Sequence, residues 1–198
     1  MKKVDVILAL TTGETAAWFF SGIAKELNLE IENLSLILAV LFPVLAVFGL
    51  WLCWLLGKKY IWIWQLAKYL LIGVLATILD LGILNGLILA SGVATGVAYA
   101  IFKGISFIVA TSAKYFGDKF WAFEKMERSN MGKEFGQFFF VTMIGLGLNV
   151  GIASFVVNGV DPQLGLSASA WGTVGGIAAA FGVMTWNFIG YKFFVFKK

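Results

Sequence analysis

The chain has 198 residues, of which 60% are hydrophobic and only 13% are charged, and its mean hydropathy is +0.90. Soluble domains are about 45–50% apolar and about 25% charged, and a small fold cannot hide this much apolar surface from water. The composition therefore excludes a soluble globule, a disordered chain and a nucleic-acid-binding domain. The net charge of +4 does not indicate nucleic acid, because Lys and Arg collect in the cytoplasmic loops of membrane proteins.

The residue inventory limits the chemistry further. The chain has no His and one Cys, Cys53, which lies inside an apolar run. An imidazole base, a His-ligated metal site and an internal disulfide are therefore excluded. The polar loops are too short to form a catalytic domain. We expect neither an enzyme nor a bound cofactor or metal.

Residues 1–33 carry charges that are too evenly spread for a membrane span. Thr11 and Glu14 fit a capping box, which predicts a helix that begins near Thr11. Apolar residues then follow one helical face at Phe20, Ile23, Ala24 and Leu27. We predict a short amphipathic helix, either on the outer membrane surface or packed over the outer end of the bundle.

Five later segments are long and apolar enough to cross a bilayer, which takes about 20 residues. They are residues 34–57, 69–90, 92–113, 138–157 and 166–190. The second contains one charge, Asp80, the third contains one charge, Lys103, and the other three contain none. The fold class predicted is an all-α polytopic membrane protein with five transmembrane helices.

The cations predict the orientation of these spans. Of the 15 Lys and Arg residues, 11 follow the first, third and fifth spans, and three lie near the N-terminus. Cytoplasmic loops carry the excess of Lys and Arg. The distribution predicts a multi-pass protein of the cytoplasmic membrane, with the C-terminus in the cytoplasm and the N-terminus outside.

The last four spans form two similar pairs. Residues 117–123 and 190–196 both read Gly-x-Lys-Phe-x-x-Phe, and each stretch closes one pair. We therefore predict a parallel 2+2 internal repeat, in which Asp80 corresponds to Asn149 and Lys114 to Asn187. Transporters are often built from such repeats, although a duplication without transport would leave the same pattern.

Short motifs in these pairs resemble the GtrA-like family over about residues 63–198. They are residues 68–74 (KYLLIGV), 80–82 (DLG), 103–107 (KGISF), 119–123 (KFWAF) and 192–196 (KFFVF). The resemblance implies a four-span unit that moves polyprenyl-phosphate-linked sugars across the cytoplasmic membrane for surface polysaccharide synthesis or glycosylation. Similar units are fused to dolichol-phosphate-mannose synthases. Lys114 and Asp118 depart from the family, which often carries Asn, and Asn or Arg, at these positions.

The domain organisation follows from the spans and the resemblance. Residues 1–33 form an extracytoplasmic segment with the amphipathic helix, and residues 34–62 add one transmembrane helix. Residues 63–198 form the GtrA-like domain. The first 60 residues lie outside the family pattern.

Asp80 and Lys103 are the first candidate site residues. They lie on antiparallel neighbouring spans at similar distances from the intervening turn, so at a rise of about 1.5 Å per residue they reach similar depths. We predict that they form an ion pair. The pair either switches during transport, when it meets a phosphate or a proton, or is static and fixes the register of the helices.

Five further polar residues are candidates for substrate contact. Asn149 and Asn187 lie within spans, where an amide either binds sugar hydroxyls or joins helices. Lys114, Lys119 and Lys192 lie at the cytoplasmic ends of spans. They either bind a lipid phosphate or lie there because the helix dipole and the positive-inside rule favour cations.

These residues lead to one functional hypothesis and two alternatives. In the hypothesis, a polyprenyl-phosphate-linked sugar crosses in a groove between the repeats while its tail stays among the membrane lipids. The first alternative is a non-transporting scaffold that anchors a glycosyltransferase, and the second is a small ion-coupled exporter. The chain works either alone or as a homodimer.

Overall fold

The computed structural model describes residues 1–26, 31–93, 95–163, 165 and 168–197. The described part is helical and contains no strand. Its helices are α1 (Lys3–Glu26), α2 (Leu34–Gly57), α3 (Ile61–Ser91), α4 (Gly96–Gly117), α5 (Met131–Gly159) and α6 (Ala168–Gly190). Helix α4 continues into a first π-helix (Asp118–Ala122), and α6 continues into a second π-helix (Tyr191–Val195).

Three segments of the described helices are long and apolar enough to cross a membrane: Leu34–Gly57, Ile61–Ser91 and Met131–Val156. They confirm a helical membrane protein. Helix α2 begins and ends at the predicted residues, 34 and 57. Helix α4 begins at Gly96, later than predicted, because the chain first turns at Gly92 with a positive φ of 70°. Residues 166 and 167, where the last predicted span begins, lie outside the described part.

The chain divides into two compact units, Met1–Glu124 and Lys125–Lys198. The first unit contains α1 to α4 and the first π-helix. In it, α1 packs along α2, and α3 packs against α4, α2 and α1. The second unit contains α5, α6 and the second π-helix, and α5 packs along α6.

The N-terminal helix differs from the prediction in both start and position. It begins at Lys3, where the backbone N–H of Lys2 donates to the Asp5 carboxylate at 2.6 Å. The predicted capping box is wrong, because Thr11 lies inside the helix and its hydroxyl donates to the Ile7 carbonyl. A Cβ on Gly13 would lie 2.4 Å from the Cα of Pro43. Helix α1 is therefore a full-length partner of α2 rather than a short helix over the end of the bundle.

The start of α1 lies beside the first π-helix. The Asp5 carboxylate accepts a hydrogen bond from the Trp121 indole N–H at 2.8 Å, and Lys2 Nζ lies 3.7 Å from Glu124 Oε1. The first five residues thus occupy the same end of the unit as residues 121–124. The predicted orientation assigned these two segments to opposite sides of the membrane, and the structure does not allow both assignments.

The two helix pairs, α3–α4 and α5–α6, close in the same way. In the first π-helix, the Phe123 N–H donates to the Asp118 carbonyl at 2.8 Å. In the second, the Phe196 N–H donates to the Tyr191 carbonyl at 2.7 Å. A glycine precedes each π-helix, and a Cβ there would lie 2.7 Å from Ile72 in the first pair and 2.6 Å from Val141 in the second.

Candidate functional site

The predicted intramembrane ion pair is present in the first unit. Lys103 Nζ on α4 contacts Oδ2 of Asp80 on α3. The other carboxylate oxygen, Oδ1, accepts a hydrogen bond from the Ser106 hydroxyl at 2.6 Å. Each oxygen of Asp80 therefore has its own donor. A carboxylate needs such partners among membrane helices, because an unpaired charge there is costly.

The three side chains differ in exposure. Ser106 is fully buried, the Asp80 side chain is 18% exposed and the Lys103 side chain is 42% exposed. Lys103 is thus the accessible member of the cluster. Ser106 is not among the predicted site residues, although it lies three residues after Lys103 and hence on the same face of α4.

A second cationic cluster lies at the end of α3 near the first π-helix. Lys68 is 1% exposed, and its Nζ lies 2.8 Å from Glu124 Oε1 and 2.9 Å from the Trp121 carbonyl oxygen. The same Nζ lies 4.7 Å from the centre of the Trp64 ring. Lys68 belongs to the motif at residues 68–74 but is not among the predicted site residues. The aromatic residues around it are the signal that could have indicated its burial.

The predicted phosphate-collecting lysines of the first unit are enclosed by protein. Lys114 pairs with Asp118 and lies 4.1 Å from the centre of the Tyr69 ring. Lys119 is fully buried. Neither ammonium group is offered to a headgroup in this conformation.

Asp118 lies beyond the end of α4 and is also fully buried. Its Oδ1 has no hydrogen-bond partner within the described part of the chain. Burial raises the pKa of Asp118 to about 6, although the neighbouring Lys114 acts in the opposite direction.

The second unit contains the remaining predicted residues. Asn187 is buried on α6, and its Oδ1 has no hydrogen-bond partner in the described residues of the chain. A Cβ on Gly145 would lie 2.7 Å from that oxygen. Asn149 is half-buried on α5. The Asn187 amide oxygen is therefore an acceptor with unused capacity.

Lys192 is the most accessible of the three predicted cytoplasmic-end lysines. It is half-buried in the second π-helix, and its Nζ lies 5.7 Å from the centre of the Phe188 ring and 5.5 Å from that of Phe193. Burial lowers the pKa of Lys192. An ammonium group beside aromatic rings is suited to the boundary between headgroups and acyl chains.

The predicted site residues fall into separate groups. Asp80 and Lys103 are in contact, whereas Lys114 lies 11 residues further along α4, about 16 Å at the usual helical rise. Asn149, Asn187 and Lys192 belong to the second unit. Among the described residues, no group of three or more His, Cys, Asp or Glu side chains could hold a metal ion.

The three long apolar helices define a helical membrane protein. The sequence model of the GtrA/DPMS transmembrane domain matches residues 68–196. The match covers more than half of the chain, and the protein belongs to this family, as the motifs predicted. No curated protein and no solved structure matches the chain. Helices α1 and α2 lie outside the matched region.

Proposed function

We propose that the protein moves a polyprenyl-phosphate-linked sugar from the inner to the outer leaflet of the cytoplasmic membrane. Family membership supports a role in glycosyl-lipid handling. The observation that carries the proposal is the Asp80–Lys103 pair, in which a half-exposed ammonium group contacts a carboxylate on α3, a candidate membrane span. Charged residues within membrane helices generally mark ion or substrate pathways.

We also propose that α3–α4 and α5–α6 are a duplicated unit. The first π-helix, Asp118–Ala122, and the second, Tyr191–Val195, occupy the same five positions of the repeated motif. The glycines before them contact Ile72 and Val141, which also correspond when the two pairs are aligned. The π-helices correspond at a spacing of 73 residues, and Ile72 and Val141 correspond at a spacing of 69 residues, so the second pair is four residues longer between these points.

The contacts of α1 favour six crossings in place of the five predicted. Its 24 residues give a length of about 36 Å, enough to cross a hydrocarbon core of about 30 Å. Asp5 contacts Trp121, so the start of α1 belongs on the same side as the cytoplasmic loop. Both termini are then cytoplasmic. Lys2 and Lys3 join that side, which raises its share from 11 to 13 of the 15 cations.

The exposure of each cation suggests its role in transport. Lys192 is accessible and makes the first contact with the lipid phosphate, and Lys103 meets the phosphate within the membrane. Asn149, which is half-buried, provides hydrogen bonds for sugar hydroxyls. The Asn187 oxygen has unused acceptor capacity but is buried, so it is closed to the sugar in this conformation. Lys114 and Lys119 are closed to the headgroup unless the first π-helix opens. The chain acts either alone or as a homodimer.

Leaflet-to-leaflet movement of undecaprenyl-phosphate-hexose in proteoliposomes tests the proposal. Wild type should exceed protein-free liposomes, and Lys103→Gln should lose most of the excess rate. Lys133→Gln is the matched control, because Lys133 is exposed at the start of α5. Equal rates for wild type and protein-free liposomes would contradict transport and favour the glycosyltransferase scaffold. Transport of water-soluble solutes without a polyprenyl lipid would favour the ion-coupled exporter.

A further inference from the structure

The Ser106 hydroxyl lies within hydrogen-bond distance of two acceptors, one on α3 and one on its own helix, α4. Its Oγ lies 2.6 Å from Asp80 Oδ1 and 3.1 Å from the carbonyl oxygen of Lys103 on its own helix. A hydroxyl has one proton to donate. The charged and closer acceptor is the stronger one, so the proton is directed to Asp80. This differs from the usual Ser or Thr in a helix, which donates to a carbonyl in the preceding turn.

The two donors to Asp80 differ in mobility. Ser106 has a short, fully buried side chain, whereas the Lys103 side chain is 42% exposed and has a flexible stem with three rotatable donors. If a second anion reaches the cluster, Lys103 can turn towards it while Asp80 stays in place. A phosphate group has the negative charge and the acceptor oxygens to take over the ammonium.

We propose that Ser106 is a positioning residue that holds the Asp80 carboxylate in place while Lys103 exchanges this carboxylate for the substrate's phosphate. The inference rests on the proposed function and specifies how Lys103 exchanges one anion for the other during transport. Without a second donor, the carboxylate would lose its remaining partner when Lys103 leaves, and an unpaired charge among membrane helices is costly. The Ser106 hydroxyl satisfies Asp80 instead. Lys103 then returns to an unchanged partner when the phosphate leaves.

Transport rates test the coupling between Ser106 and the ion pair. Ser106→Ala should slow movement of undecaprenyl-phosphate-hexose at least tenfold in the wild-type background. In an Asp80→Asn, Lys103→Gln background it should change the remaining rate less than twofold, because there is no charge to hold. Ser112→Ala is the matched control on α4, since the Ser112 hydroxyl donates to the Ile108 carbonyl. Equal losses in both backgrounds would overturn the inference.

Infrared spectroscopy provides a readout that does not depend on transport. The Asp80 bands are identified by their loss in Asp80→Asn. When undecaprenyl phosphate is added, the Asp80 carboxylate band of wild type should shift, because Lys103 leaves this carboxylate. Ser106→Ala should shift the Asp80 band even before the lipid is added, because one oxygen has lost its hydrogen-bond donor. A wild-type band that does not shift with the lipid, or an Asp80 band in Ser106→Ala identical to that of wild type, would overturn the inference.

The two experiments separate the inference from the proposed function. The expected infrared changes without transport would contradict translocation and retain the exchange at Lys103. Transport that is unaffected by Ser106→Ala would retain translocation and overturn the positioning role. The infrared experiment is repeated with inorganic phosphate in place of undecaprenyl phosphate. The same spectral change with inorganic phosphate would identify a free-phosphate site and contradict the requirement for a lipid headgroup.

Discussion

Gly13 allows α1 and α2 to approach each other closely, and Gly13→Ala should force them apart. A Cβ there would lie 2.4 Å from the Pro43 Cα and 2.7 Å from the Phe42 carbonyl oxygen. Non-bonded carbon atoms pack at about 3.5–4.0 Å, so the helices must separate locally by roughly 1 Å. Both obstacles are backbone atoms, and no side-chain rotation relieves them. Overpacking of this kind costs about 1–3 kcal/mol.

Equilibrium unfolding of the full chain in mixed micelles, followed by circular dichroism, measures the effect. Gly13→Ala should lower the free energy of unfolding by about 1–3 kcal/mol. Gly22 is the matched control, because it lies on the same helix and a Cβ there meets nothing within 4 Å. Gly22→Ala should leave stability unchanged or raise it by up to about 1 kcal/mol. If Gly13→Ala stabilises the chain as Gly22→Ala does, the packing of α1 on α2 is refuted.

Three further predictions use the same unfolding assay. Asp5→Ala should lower the free energy of unfolding by about 1.5–3 kcal/mol, because the Trp121 indole N–H loses a charged acceptor. Asp5→Asn should lower it less, and equal losses for the two variants would contradict this hydrogen bond. Gly190→Ala should destabilise the chain, since its Cβ would lie 2.6 Å from a valine methyl, and Gly147→Ala, with nothing within 4 Å, should not; the reverse order would contradict the contact. Burial raises the pKa of Asp118 from its ordinary value of 3.8 to about 6. The contribution of Asp118 to the free energy of unfolding is therefore largest below about pH 4 and is lost as pH rises through 6. Stability relative to Asp118→Asn should therefore fall between pH 4 and 7, and a flat difference would refute the assignment.

Helix α2 was predictable because one signal dominates it. Its 24 residues contain no charge and are bounded by polar residues, so apolar length alone fixes both ends. Helix α1 was not predictable in this way. Its charges conceal a long helix, within which Glu14 accepts a hydrogen bond from the Trp18 indole N–H at 2.8 Å. Contacts between side chains, which composition does not show, make such a helix possible.

The ion pair was predictable, whereas its third member was not. Asp80 and Lys103 lie at similar distances from the turn between adjacent helices, which predicts that they pair, and the structure has this contact. Ser106 is indistinguishable in sequence from Thr77 and Ser112, whose hydroxyls donate to carbonyls of their own helices. Only the three-dimensional packing of α3 against α4 turns one hydroxyl towards a carboxylate.

The burial of the cytoplasmic-end lysines also depends on packing. The sequence places Lys114 and Lys119 at a helix end, where cations are usually exposed to headgroups. The first π-helix adds a residue to the turn and changes the direction of the side chains that follow. Gly117 also lets this segment lie directly against α3. Neither feature follows from residue type or spacing.

The most direct test of the account is the rate at which undecaprenyl-phosphate-hexose crosses between leaflets in proteoliposomes that contain the folded chain. We compare wild type with Asp80→Asn and with protein-free vesicles. Wild type should move the lipid rapidly, and Asp80→Asn should lose most of this rate, because the carboxylate that Lys103 must return to is neutralised. Wild-type movement no faster than in protein-free vesicles, with the helical circular dichroism intact, would contradict the account.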